Sequence, residues 1–74
     1  MFVLKIKNLL IPQTAIATID RYPQQKQMFI ELKSSSFVEL KYKSAKDLNK
    51  DFEAIIDLWI SNENIVLELK GERK

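Results

Sequence analysis

Apolar residues recur along this chain with two different periods, and the change of period divides it into a strand region and a helix. From Phe2 to Lys7 the pattern alternates, with Phe2, Leu4 and Ile6 on one side and Val3, Lys5 and Lys7 on the other, as in a half-buried strand. Asn8 offers a turn and Pro12 biases Ile11 toward extended geometry, so a second short strand is expected there. Ala15 to Tyr22 is the next extended segment, but its phase is broken, because Ile16 and Thr18 alternate against Ala17 and Ile19. A β-bulge would reconcile the two phases. Tyr22 to Gln27 reads as a polar connection in which Pro23 fixes one torsion.

Met28 to Lys33 and Phe37 to Lys43 form the clearest strand pair, joined by Ser34, Ser35 and Ser36. Met28, Ile30 and Leu32 share a face with Val38, Leu40 and Tyr42, which leaves Phe29, Glu31 and Lys33 with Phe37, Glu39, Lys41 and Lys43 outside. Serine hydroxyls support such a turn by bonding to nearby backbone.

At Ser44 the period changes. Ser44 can cap a helix, with Asp47 three positions later in a variant of the capping box. Leu48, Phe52, Ile55, Ile56 and Trp59 then recur on one helical face, while Lys46, Asn49, Lys50, Glu53 and Asp57 occupy the polar side. Ala54, Leu58 and Ile60 widen the apolar surface beyond one stripe, which predicts either a deeply embedded helix or a partner surface. Ser61 to Asn64 stops the helix, and Ile65, Leu67 and Leu69 alternate with Val66, Glu68 and Lys70 as a final strand. The expected fold is α+β, a small antiparallel sheet of four to five strands packed by one long helix in the order β-β-β-β-α-β, with residues 1–70 as a single domain and 71–74 as a short tail.

Size sharpens this picture, because 74 residues support one core and a modest stability margin. The chain has no cysteine and no histidine, so disulfides and the commonest transition-metal ligand are both missing, and no cofactor is expected. A reducing cytoplasm is the natural compartment. The start superficially copies a secretory leader, but Lys5, Lys7 and Asn8 interrupt its apolar run on one side and Pro12 and Gln13 on the other. No run approaches the length of a membrane helix, so integral membrane association is not expected.

Candidate chemistry is sparse. Asp47 and Asp51, one helical turn apart, would together reach a hard cation, yet their place near the positive end of the helix accounts for them by electrostatics alone. The serine run has no histidine or cysteine beside it, Tyr22 and Tyr42 fit packing, and Arg21 and Lys26 lack a glycine-rich phosphate cradle, so an enzyme is not expected. Two binding readings remain. A protein-interaction module or accessory subunit, binding a protein partner or itself, would use excess apolar surface at Phe29 and Phe37 and above all the helix flank of Leu58 and Ile60, with homo-oligomerisation expected. The alternative is a weak single-stranded nucleic-acid binder on an outer sheet face, with Phe29 and Phe37 stacking on bases and Lys5, Lys7, Lys33, Lys41 and Lys43 meeting phosphates. Twelve basic and ten acidic residues give a formal charge of only +2, too little for a broad polybasic field.

Overall fold

The computed structural model describes residues 1–73. It is a small α+β fold in which one long helix packs an antiparallel sheet. The order is β1 (Val3–Ile6), β2 (Leu9–Pro12), β3 (Ile16–Tyr22), β4 (Gln27–Leu32), β5 (Phe37–Lys41), α1 (Ala45–Ser61), β6 (Val66–Glu68) and β7 (Glu72–Arg73). Short 3-10 turns at Gln13–Ala15 and Pro23–Gln25 precede β3 and β4.

Where a single sheet was expected, the strands divide into two. A four-stranded antiparallel sheet runs β3-β4-β5-β7, and a three-stranded sheet runs β2-β1-β6. The division falls at Pro12, where the 3-10 turn redirects the chain after the first hairpin. Gln13 clamps this corner, its amide donating to the Phe2 carbonyl at 3.0 Å and its side-chain Oε1 accepting from the Phe2 amide at 3.3 Å. β1 then pairs in parallel with β6, Val3 opposite Val66 and Leu4 opposite Leu67. An exposed ion pair from Lys5 to Glu68 at 3.3 Å sits beside this pairing.

Alternation determines the core as expected. Leu4 and Ile6 of β1, Met28 and Ile30 of β4, and Val38 and Leu40 of β5 are buried, joined by Phe2 and Leu48. The phase conflict in β3 is resolved by a register shift between Ile16 and Thr18. Beyond it Ile19 lies opposite Ile30 and Arg21 opposite Met28 on the core face, while Thr18, Asp20 and Tyr22 share the outer face with Glu31, Phe29 and Gln27.

α1 starts as its sequence requires, with Ser44 Oγ accepting the Asp47 amide at 3.1 Å, and it ends at Asn62 in a left-handed conformation. The buried face is rotated from the expected stripe, however: it consists of Leu48, Asp51, Ile55 and Leu58. At about 100° per residue these occupy a sector of roughly 80°, and Trp59, Phe52, Ile56 and Ile60 succeed one another around the adjacent flank. Leu58, expected on an open flank, is therefore a core residue, only 6% exposed. Asp51, expected as a solvated helix charge, is 5% exposed.

The rotation has a chemical cause in the C-terminal segment. Asp51 Oδ2 accepts the Tyr42 hydroxyl at 2.7 Å and the backbone amides of Lys70 at 2.7 Å and Gly71 at 3.3 Å. These donors replace water and let the carboxylate enter the interior. Residues 71–73 of the expected tail are accordingly structured: Gly71 is buried against Tyr42, and β7 pairs with β5 through Leu40–Arg73 and Lys41–Glu72. Position 74 lies outside the described residues.

Candidate functional site

The helix flank that the rotation leaves uncovered borders β3. Between them runs an open, almost wholly apolar groove of about 370 Å³, with Ile16 and Ile19 on the strand side and Phe52, Ile56, Trp59 and Ile60 on the helix side. Ile60 is 79% exposed and Trp59 45% exposed, unusual values for large apolar side chains in one cluster. Trp59 is nevertheless held in place, its ring meeting Phe2 edge-on with centroids 5.4 Å apart.

Arg21 lies against Phe52, one of the groove's lining residues. Its guanidinium lies 4.4 Å from the Phe52 ring centroid, and Nη1 donates to Asn49 Oδ1 at 2.8 Å. This ties the edge strand to the helix. β3 pairs with β4 on one side and is the terminal strand of its sheet. Alternate backbone N–H and C=O groups along its other side thus have no strand partner among the described residues.

The groove contains Ile60 but not Leu58, so one of the two residues expected at a protein interface reaches solvent and the other does not. Sequence periodicity could not separate them. Both lie on the broad apolar arc of α1, and only the docking of Asp51 fixes which part of that arc is covered.

The seven candidate nucleic-acid residues are not brought onto one surface. Lys5 lies in β1 of the three-stranded sheet and Lys7 in the turn that follows it, whereas Phe29 is in β4 and Phe37 and Lys41 are in β5 of the other sheet. Lys33 and Lys43 lie just beyond β4 and β5, and both are exposed. Phe29 is half-buried, T-stacked on Tyr22 with centroids 5.6 Å apart, and it stands opposite Asp20 on one side and Glu39 on the other. Phe37 is 64% exposed and opposite Glu31. Carboxylates therefore alternate with the aromatic rings where a phosphate backbone would have to run.

A second depression lies among Lys41, Lys43, Lys70, Asp47 and Glu72, with charges of both signs. Among the described residues no group of three or more acidic side chains is arranged to hold a metal ion, and no helix is long and apolar enough to cross a membrane. Among the described residues Tyr42 is the one group with a strongly displaced titration: burial, reinforced by its bond to Asp51 and by that residue's charge, holds its phenol far above the ordinary range. Its hydroxyl is committed to the Asp51 carboxylate in the interior. Compared with known proteins, the chain matches no family model, no curated protein and no solved structure.

Proposed function

We propose that this domain is a protein-interaction module or accessory subunit, and that the groove between β3 and α1 is its docking face. The observation that carries this reading is the exposed cluster of Ile56, Trp59 and Ile60 beside an unpaired strand edge. A small domain that leaves such residues in water forgoes burial that its own stability would use, at roughly 25 cal/mol per Å² of apolar surface. Covering them in a complex recovers that free energy. The same cluster suits hot-spot energetics, since an aromatic anchored from behind by Phe2 loses little freedom on binding.

Native capture from source-cell extract, run in parallel with three forms of the domain, tests the reading. Wild type and Phe37→Asp should recover the same partner, because Phe37 lies on the other face of the sheet from the groove, whereas Ile60→Asp should lose it. Retention of the partner by Ile60→Asp would overturn the assignment of this face. Both substituted side chains are already exposed, and circular dichroism checks that each variant folds.

A further inference from the structure

The charge around the groove indicates what kind of segment fills it. The stretches that line it, 16–19 and 52–60, contain Glu53 and Asp57 and no Lys or Arg, in a chain whose formal charge is +2. Glu53, Asp57 and Glu63 are exposed, whereas Asp20, next on the strand, points to the outer face of the sheet and takes no part. The last turn of α1 carries no basic residue, so the negative end of the helix dipole adds to the same field. Arg21 is already occupied by Phe52 and Asn49, and Lys46 and Lys50, on the same polar side of the helix as Glu53 and Asp57, precede the lining stretch. The result is an apolar floor with an acidic rim on its helix side.

Two copies docked groove to groove would bring two acidic rims and two dipole ends together, a like-charge apposition that opposes self-pairing here. A segment with apolar side chains flanked by cations meets no such penalty. The unpaired backbone of β3 selects its conformation, since an extended chain laid along Thr18 to Tyr22 satisfies both sets of backbone groups and directs alternate side chains into the groove. The register shift between Ile16 and Thr18 limits regular pairing at the other end.

We infer that the groove takes an extended segment of another protein, apolar at alternate positions and flanked by Lys or Arg, which adds as a strand to the free edge of β3. This inference rests on the docking face assigned above and specifies its occupant. Trp59 is the only tryptophan of the chain, so its emission reports occupancy directly. The probe is a blocked nonapeptide of alternating valine and threonine with two lysines at each end. Its counterparts carry glutamates at the ends, or N-methyl groups on alternate backbone nitrogens.

The lysine-flanked peptide should shift Trp59 emission saturably, bind at least about tenfold more tightly than the glutamate-flanked one at low salt, and slow amide exchange from Thr18 to Tyr22. N-methylation should abolish binding. Equal affinity for the two charge forms, full binding by the N-methylated peptide, or unchanged exchange along β3 would each overturn the inference, as would a lack of saturable binding by the lysine form. In that last case a capture partner still lost on Ile60→Asp would leave the docking face standing with a different occupant. A dimer mass in light scattering that Ile60→Asp abolishes would name a second copy as that occupant and also overturn the inference.

Discussion

The Asp51 carboxylate and the Tyr42 hydroxyl meet at 2.7 Å inside the protein, and together they fasten the middle of the helix to the chain that leaves β5. Asp51 also receives two backbone amides from Lys70 and Gly71, so one side chain joins three separate parts of the sequence. Removing the carboxylate with Asp51→Ala strands a buried hydroxyl and two amides. The expected loss is about 3 kcal/mol. Tyr42→Phe leaves the two amides bonded and should cost about half as much. Urea unfolding of the two variants and wild type checks both the size and the order of the effects.

Alkaline titration isolates the same contact. The unfolded phenol titrates at its ordinary value of 10.0, whereas the folded one is held well above it by burial and by Asp51. Above about pH 10 the unfolded chain therefore binds fewer protons than the folded one, and stability falls as pH rises. This contribution is intact about one unit below pH 10, and about 1.4 kcal/mol of it should be gone by pH 11. The difference in unfolding free energy between wild type and Tyr42→Phe, followed from pH 8 to 11, should shrink over that window. A constant difference would contradict the assignment.

Gly71 is required by proximity rather than by backbone conformation. A Cβ at this position would lie 2.6 Å from Tyr42 Cζ, inside the contact limit and against a ring that cannot move without releasing Asp51. Gly71→Ala should cost about 1–3 kcal/mol through overpacking. Gly71→Ala combined with Tyr42→Ala should lose less than the sum of the two single losses, because the clash disappears with the ring. Thermal unfolding of the three variants provides the comparison.

Among the described residues four non-glycine positions, Lys7, Lys26, Ser35 and Asn62, occupy positive φ, and the single glycine does not. Asn tolerates this region better than the others. Ser35, with φ at 73°, closes the β4–β5 connection by donating its amide to the Leu32 carbonyl at 2.9 Å. Ser35→Gly should relieve about 0.5–1 kcal/mol of backbone strain, with part of that gain offset by greater freedom in the unfolded chain. A raised midpoint in denaturant with an unchanged slope is the expected result.

Particular residues mark how far the sequence was legible. Strict alternation in Phe2–Ile6, Met28–Ile30 and Val38–Leu40 determined the core faces, because a one-residue slip would expose an entire apolar set. The Ser44 cap and the broken phase at Ile16–Thr18 were equally readable, since each is a local chemical signal. Asp51 was not. Its burial depends on donors supplied by Tyr42, nine positions earlier, and by Lys70 and Gly71, about twenty later, and nothing local marks their convergence. The groove was hidden for the same reason. An apolar arc wider than its contact surface announces excess, but the tertiary latch decides whether Leu58 or Ile60 is the residue left over. Parallel pairing of β1 with β6 also escaped notice, because short strands carry no label for a distant partner.

That pairing has a consequence for how the domain comes into being. Val3 and Val66 are 63 positions apart in the register of β1 and β6. β1 can close its hairpin with β2 soon after both are made, but its other edge stays bare until the helix and the strand after it have left the ribosome. The earliest strand thus waits for one of the latest. Closing so long a loop is entropically slow, and throughout that interval the nascent hairpin presents an open edge to every neighbouring chain. The price of this topology is a window of vulnerability during synthesis rather than a weakness of the finished fold.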